Sequence, residues 1–225
     1  MNSLLMLVSL FYLAGTFWYY ELDWKNKRIV FVVPSEVLYF MATALMIVFF
    51  YFVYWGKVVL VYSGYLYVYL FTAFLLFSVL LHMLAKYYED RRRFRGVKKS
   101  WRDEVHNLHG YVSHNMIYTS LVGVLVSFAS LEMNGKVEVS GSYDVHIVLF
   151  SSFIFGLSFY RTIVHGRLWR TQLVVIPVVT LLLVYGLLTL DSNIWSLPFS
   201  LFTVAMLAMS FIMLACDEVF MRRFK

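Results

Sequence analysis

The chain has 225 residues, 61% of them hydrophobic and 14% charged, with a mean hydropathy of +0.74. A soluble domain carries roughly 45–50% apolar and about 25% charged residues, so this composition excludes a water-soluble globular protein. The net charge of +6 lies beside apolar stretches, which excludes a nucleic-acid footprint and points to anionic lipid headgroups.

Dividing the apolar sequence into crossings of roughly 20 residues predicts about seven spans, at 4–20, 35–55, 58–85, 110–131, 145–161, 172–190 and 194–216. The fold class expected is an all-α polytopic transmembrane bundle, one domain over 1–225. The first stretch has no Lys or Arg before position 25 and ends in Phe17, Trp18, Tyr19 and Tyr20. That is an interfacial aromatic belt rather than a cleavage site, and it reads as a retained span. Ser35 can cap the second span with its hydroxyl. Only Trp55-Gly56-Lys57 separates the second and third spans, and the third stretch is long enough for the turn to fall nearer Ser63-Gly64.

Between the third and fourth spans, residues 86–109 form the one substantial element outside the apolar stretches. Phe94, Val97, Trp101, Val105 and Leu108 recur at helical spacing. Arg91, Arg92, Arg95, Lys98, Lys99 and Arg102 lie around and opposite this stripe. A basic amphipathic helix of this kind is expected on the cytoplasmic membrane face, apolar stripe down, with Lys, Arg and Trp101 at headgroup level or against a cytoplasmic partner. It can run into the fourth span through a bend at Gly110. Asn134-Gly135 signals a turn, and residues 136–139 alternate like a short external strand. Pro177 interrupts the hydrogen-bond ladder of the sixth span. Asp191-Ser192-Asn193 turns the chain into the last span, and Pro198 sits in its first turn, where a missing N–H costs little.

The basic residues fix an expected orientation. All 19 except Lys57 and Lys136 follow the first, third, fifth and seventh spans. The positive-inside rule then places the N-terminus outside and the C-terminus in the cytoplasm. Cys216 is the single cysteine, which excludes an intramolecular disulfide and any cysteine-based metal motif.

Two constellations carry possible chemistry. On this topology five of the six histidines share the cytoplasmic layer: His82, His106, His109, His114 and His165. Imidazole is the commonest metal ligand, so this layer admits a metal ion, or a haem between His82 and His165. The spacing raises an obstacle, because an α-helix sets His109 and His114 about 140° apart. One ion reaches both only if the helix is disturbed near Gly110. The second constellation is polar. His114, Asn115, Thr119 and Ser120 in the fourth span, with Ser151 and Ser152 in the fifth, suit a substrate path or a helix interface using small hydroxyls. Together these features give an integral protein of a bacterial inner or plasma membrane: a channel-like, transport or membrane-anchoring subunit of a larger assembly, without a required cofactor. It would act as a homo-oligomer or with a cytoplasmic protein partner. The alternative is a metal- or haem-binding redox enzyme with a cytoplasmic-side histidine site.

Overall fold

The computed structural model describes residues 6, 9, 10, 13, 14, 64–90, 99–135, 143–165 and 168–223. All of the regular structure among them is helical. The helices are α1 (Gly64–Asp90), α2 (Lys99–Asn107), a π-helical turn (Leu108–Ser113), α3 (His114–Met133), α4 (Val145–His165), α5 (Trp169–Thr189), a short 3₁₀ turn (Ile194–Ser196) and α6 (Pro198–Arg223). Five segments are long and apolar enough to cross a membrane. They correspond to the third to seventh expected spans. The expected spans at 4–20 and 35–55 lie outside the described residues, apart from five isolated helical positions in the first. So do the expected strand at 136–139 and residues 91–98 of the interfacial helix.

The boundaries follow local chemistry. The expected turn at Ser63-Gly64 falls at the edge of the described residues, whose helix α1 runs from Gly64. α3 ends in the Asn134-Gly135 turn, and Gly135 takes a left-handed φ of 63° that its missing Cβ makes accessible. Between α5 and α6, Asn193 accepts a hydrogen bond from Trp195 N at 3.1 Å and so caps the 3₁₀ turn. Pro198 then occupies the first position of α6. α5 stays helical through Pro177.

α2, the π-turn and α3 form one continuous helical run, so the basic helix passes into the fourth span without a loop. Of its expected apolar stripe, Val105 is buried and Leu108 half-buried, whereas Trp101 is exposed. Arg102 is exposed as well.

α3 is the central helix. It packs against α1 on one side and against α5 and α6 on the other, and α4 packs along α6. The burial of the membrane windows follows this order: 67% for the run containing α3, but 28% for α1 and 22% for α5. The outward faces of α1 (Leu70, Phe77, Leu80, Leu84) and α5 (Val174, Leu181, Leu182, Leu188) are apolar and exposed. Faces of this composition suit lipid, where no hydrogen-bonding partner is available.

Inside the bundle, hydroxyl groups return to their own backbones. Ser78, Ser120, Ser127, Ser152, Ser158 and Thr180 each donate to the carbonyl four residues earlier. This satisfies the polar atom without a cross-helix partner. Among the described residues, other polar groups do cross between helices. Ser210 Oγ on α6 reaches the Gly156 carbonyl of α4 at 3.1 Å. At the opposite end, the buried carboxylate of Glu132 receives the backbone N–H of Phe199 (3.2 Å), the N–H of Ser200 (2.7 Å) and the Ser200 hydroxyl (2.8 Å). A side chain from α3 thus caps the first turn of α6, taking up donors that a helix start leaves unpaired.

Candidate metal centre

His82 projects from the last third of α1, His109 from the π-turn and His114 from the first position of α3. One ring nitrogen of each lies within 4.8 Å of those of the other two. The ring centroids of His82 stand 4.6 Å from both His109 and His114, and those of His109 and His114 are 5.8 Å apart. His82 and His109 are buried and His114 half-buried.

The π-turn makes this possible. In π geometry each N–H bonds to the carbonyl five residues back, so the fifth residue takes the place held by the fourth in an α-helix. His109 and His114 are five apart, and their rings converge on one face. The obstacle raised by α-helical spacing is removed, at the Gly110 position where a disturbance was expected. Gly110 itself lies within the turn, and a Cβ there would meet nothing within 4 Å. The altered ladder is supported by side chains: Ser113 Oγ donates to the His109 carbonyl at 2.6 Å, and Asn115 Nδ2 donates to the Tyr111 carbonyl at 3.1 Å.

Ser113 also favours one tautomer. Its hydroxyl proton is engaged by the His109 carbonyl, so at 3.1 Å from His82 Nδ1 its oxygen acts as acceptor. This arrangement favours the tautomer in which His82 carries its proton on Nδ1 and presents Nε2 as a lone pair. This is the arrangement that second-sphere groups impose on metal-binding imidazoles. On His114, Nδ1 is buried and makes no hydrogen bond.

A transition ion about 2.0–2.1 Å from each nitrogen holds the nitrogens about 3.3–3.6 Å apart. The separation of up to 4.8 Å closes to that value by movements of at most about 1.5 Å, within reach of small χ rotations. The donor set is three neutral imidazoles, which suits zinc, copper, iron or nickel rather than magnesium or calcium. With three ligands, a fourth position remains open. The expected haem pair, His82 and His165, is not brought together within the described residues, because the His165 side chain lies outside them.

Lys86 lies one turn beyond His82 on α1. Tyr118, fully buried, lies one turn beyond His114 with ring centroids 6.2 Å apart, and it meets Phe159 of α4 edge-on at 5.7 Å. This ring pair links the site to α4.

Of the other expected site residues, His106 is exposed on α2, three positions before His109 and outside the cluster. His165 ends α4, and its side chain lies outside the described set. Asn115 supports the π-turn, Thr119 is exposed, and Ser120 and Ser152 are back-bonded within their helices. Ser151 is buried without a hydrogen-bond partner. Ser113 and Glu132 were not singled out by the sequence. Ser113 stood beside His114 as one hydroxyl among many, and nothing in the chain order links Glu132 to residues 199 and 200.

Comparison with known protein families, curated proteins and solved structures finds no match for this chain.

Proposed function

We propose that this protein is an integral membrane metalloprotein that holds one first-row transition ion at His82, His109 and His114, on the cytoplasmic side of a plasma-type or bacterial inner membrane. One observation carries this reading: three imidazoles from α1, the π-turn and α3 converge within 4.8 Å in the bundle interior. Placing three histidines in a packed, apolar setting is costly unless their polar atoms are engaged. A local departure from α-helical geometry is needed to bring two of them together. The open fourth position gives a bound ion room to take a further ligand, as metal handling or redox chemistry requires.

The test is metal analysis of the purified full-length protein. One equivalent of metal is expected per chain. Replacing His82, His109 or His114 with Ala lowers affinity by at least about 10–100-fold, the scale seen when even a supporting group is removed. His146→Ala, on the exposed first turn of α4, and His106→Ala leave occupancy intact. Equal, negligible metal in all five variants and in the wild type overturns the reading.

A second reading, a transport subunit, has a separate motive. Ser151 Oγ and Thr203 Oγ1, on adjoining helices α4 and α6, are buried without hydrogen-bond partners. Intramembrane polar groups in that state are expected along water or substrate paths. Ion or solute flux in liposomes by a metal-free protein favours this reading over the first.

A further inference from the structure

We infer that the site is built for a monovalent ion, cuprous copper, rather than for a divalent one. The inference rests on the metalloprotein reading and concerns the charge of the bound species. Three observations point to it.

The first is the ligand set. The cluster comprises three imidazoles, and among the described residues no carboxylate or thiolate belongs to it. Neutral ligands leave the whole charge of the ion in place. The second is burial. The Born cost of moving a charge out of water grows with its square, so a dication costs about four times a monocation of the same size. A buried dication recovers that cost from an anion in its coordination shell, a protein carboxylate or thiolate or, where three histidines hold zinc, a bound hydroxide, and this cluster supplies no such anion of its own. The third is Lys86. It follows His82 by one turn of α1, and an ammonium there repels a dication twice as strongly as a monocation. Cuprous copper meets all three conditions, because imidazole is a suitable copper ligand and a d¹⁰ monocation is content with three nitrogens. A divalent ion fits only if it brings an anion, such as hydroxide, into the fourth position.

The experiment uses the full chain in detergent or nanodiscs under anaerobic conditions. Cu(I) is titrated against a cuprous-specific chromophoric chelator, and Zn(II) against a zinc indicator in parallel. X-ray absorption at the copper edge counts the nitrogen neighbours. The expected result is one Cu(I) per chain with three nitrogen neighbours and no other ligand, bound at least 100-fold more tightly than Zn(II) (about two tenfold steps). Binding is lost in His109→Ala and kept in His146→Ala. A charge swap supplies a second arm. Lys86→Glu raises the affinity for both ions, and the change in log K for Zn(II) is about twice that for Cu(I), since the interaction scales with ion charge. If Lys86→Glu fails to fold, Lys86→Gln gives the same comparison at half the amplitude.

Zn(II) or Co(II) bound as tightly as Cu(I), through three nitrogens with no added anion, overturns the inference and leaves the metalloprotein reading standing. Equal changes in log K for the two ions in Lys86→Glu overturn the role of Lys86. A protein that takes up neither Cu(I) nor Zn(II) overturns the inference, and the reading beneath it falls as well if metal analysis also finds no iron or nickel.

Discussion

Ser113 has a single proton, and the His109 carbonyl takes it at 2.6 Å. That contact places the Ser113 oxygen to accept from His82 Nδ1. Ser113→Ala removes this acceptor and leaves the His109 backbone as the remaining partner of the ring, which loosens its orientation. Metal affinity is expected to fall by about 10–100-fold while the helices remain formed, as read by competition titration beside circular dichroism. Unchanged affinity would show that His82 is oriented by packing alone. Glu132 is a contrasting case, a buried group with a structural role. Glu132→Ala leaves the Phe199 and Ser200 N–H groups without their carboxylate. The loss is expected to be about 1.5–3 kcal/mol, the scale for hydrogen bonds to a charged group. Thermal unfolding in detergent should report it, with metal affinity unaffected because Glu132 ends α3 and His114 begins it. At this scale the sequence exposed the imidazoles, because His is rare inside apolar helices. It hid Ser113 and Glu132, whose roles depend on partners supplied by the fold.

The π-turn is the element on which the site depends, and its role can be tested by phase. Deleting Gly110 leaves His109 and His114 four apart, which a regular α-helix places about 40° apart on one face. Metal binding should survive. Inserting one Ala after Gly110 sets them six apart, about 240° around an α-helix, and binding should fall to the level of His109→Ala. If the deletion abolishes binding and the insertion does not, the π geometry matters for some reason other than phase. The α4–α6 contact makes a second element-scale prediction. A Cβ at Gly156 would lie 2.9 Å from the Met206 carbonyl, whereas one at Gly186 would meet only the flexible tip of Met133 at 3.7 Å. Gly156→Ala should cost about 1–3 kcal/mol by overpacking, and Gly186→Ala should cost nothing measurable. Helix positions for the five described spans were legible because apolar run length reports directly on a bilayer crossing. The turn phase was not. A π-turn differs from an α-turn by one residue of backbone register, and no composition marks it; Gly110 located the disturbance without giving its form.

Across the whole molecule, the location of the site rests on the charge asymmetry. The described helices end near basic residues at Lys86, Arg161 and Arg222, and their antiparallel succession puts those ends in one layer with the histidine cluster. In the orientation proposed from the positive-inside rule, that layer is the cytoplasmic one. A reporter after Lys225 should therefore read cytoplasmic and one within 134–142 external; both on the same side would break the topology. The metal supplies an independent measure of the same map. His106 is exposed one helical turn from His109, so the route from solvent to the cluster is short on that side, while on the other side the length of α3 and its buried core intervene. A membrane-impermeant chelator added to loaded, inside-out vesicles should strip the metal rapidly. The same chelator added to right-side-out vesicles should act no faster than the vesicles leak. The His106→Ala variant should keep its equilibrium occupancy in both. Equal stripping rates from the two faces would mean that the cluster is reached through the bundle rather than from the cytoplasm, and the orientation drawn from the arginines and lysines would have to be abandoned.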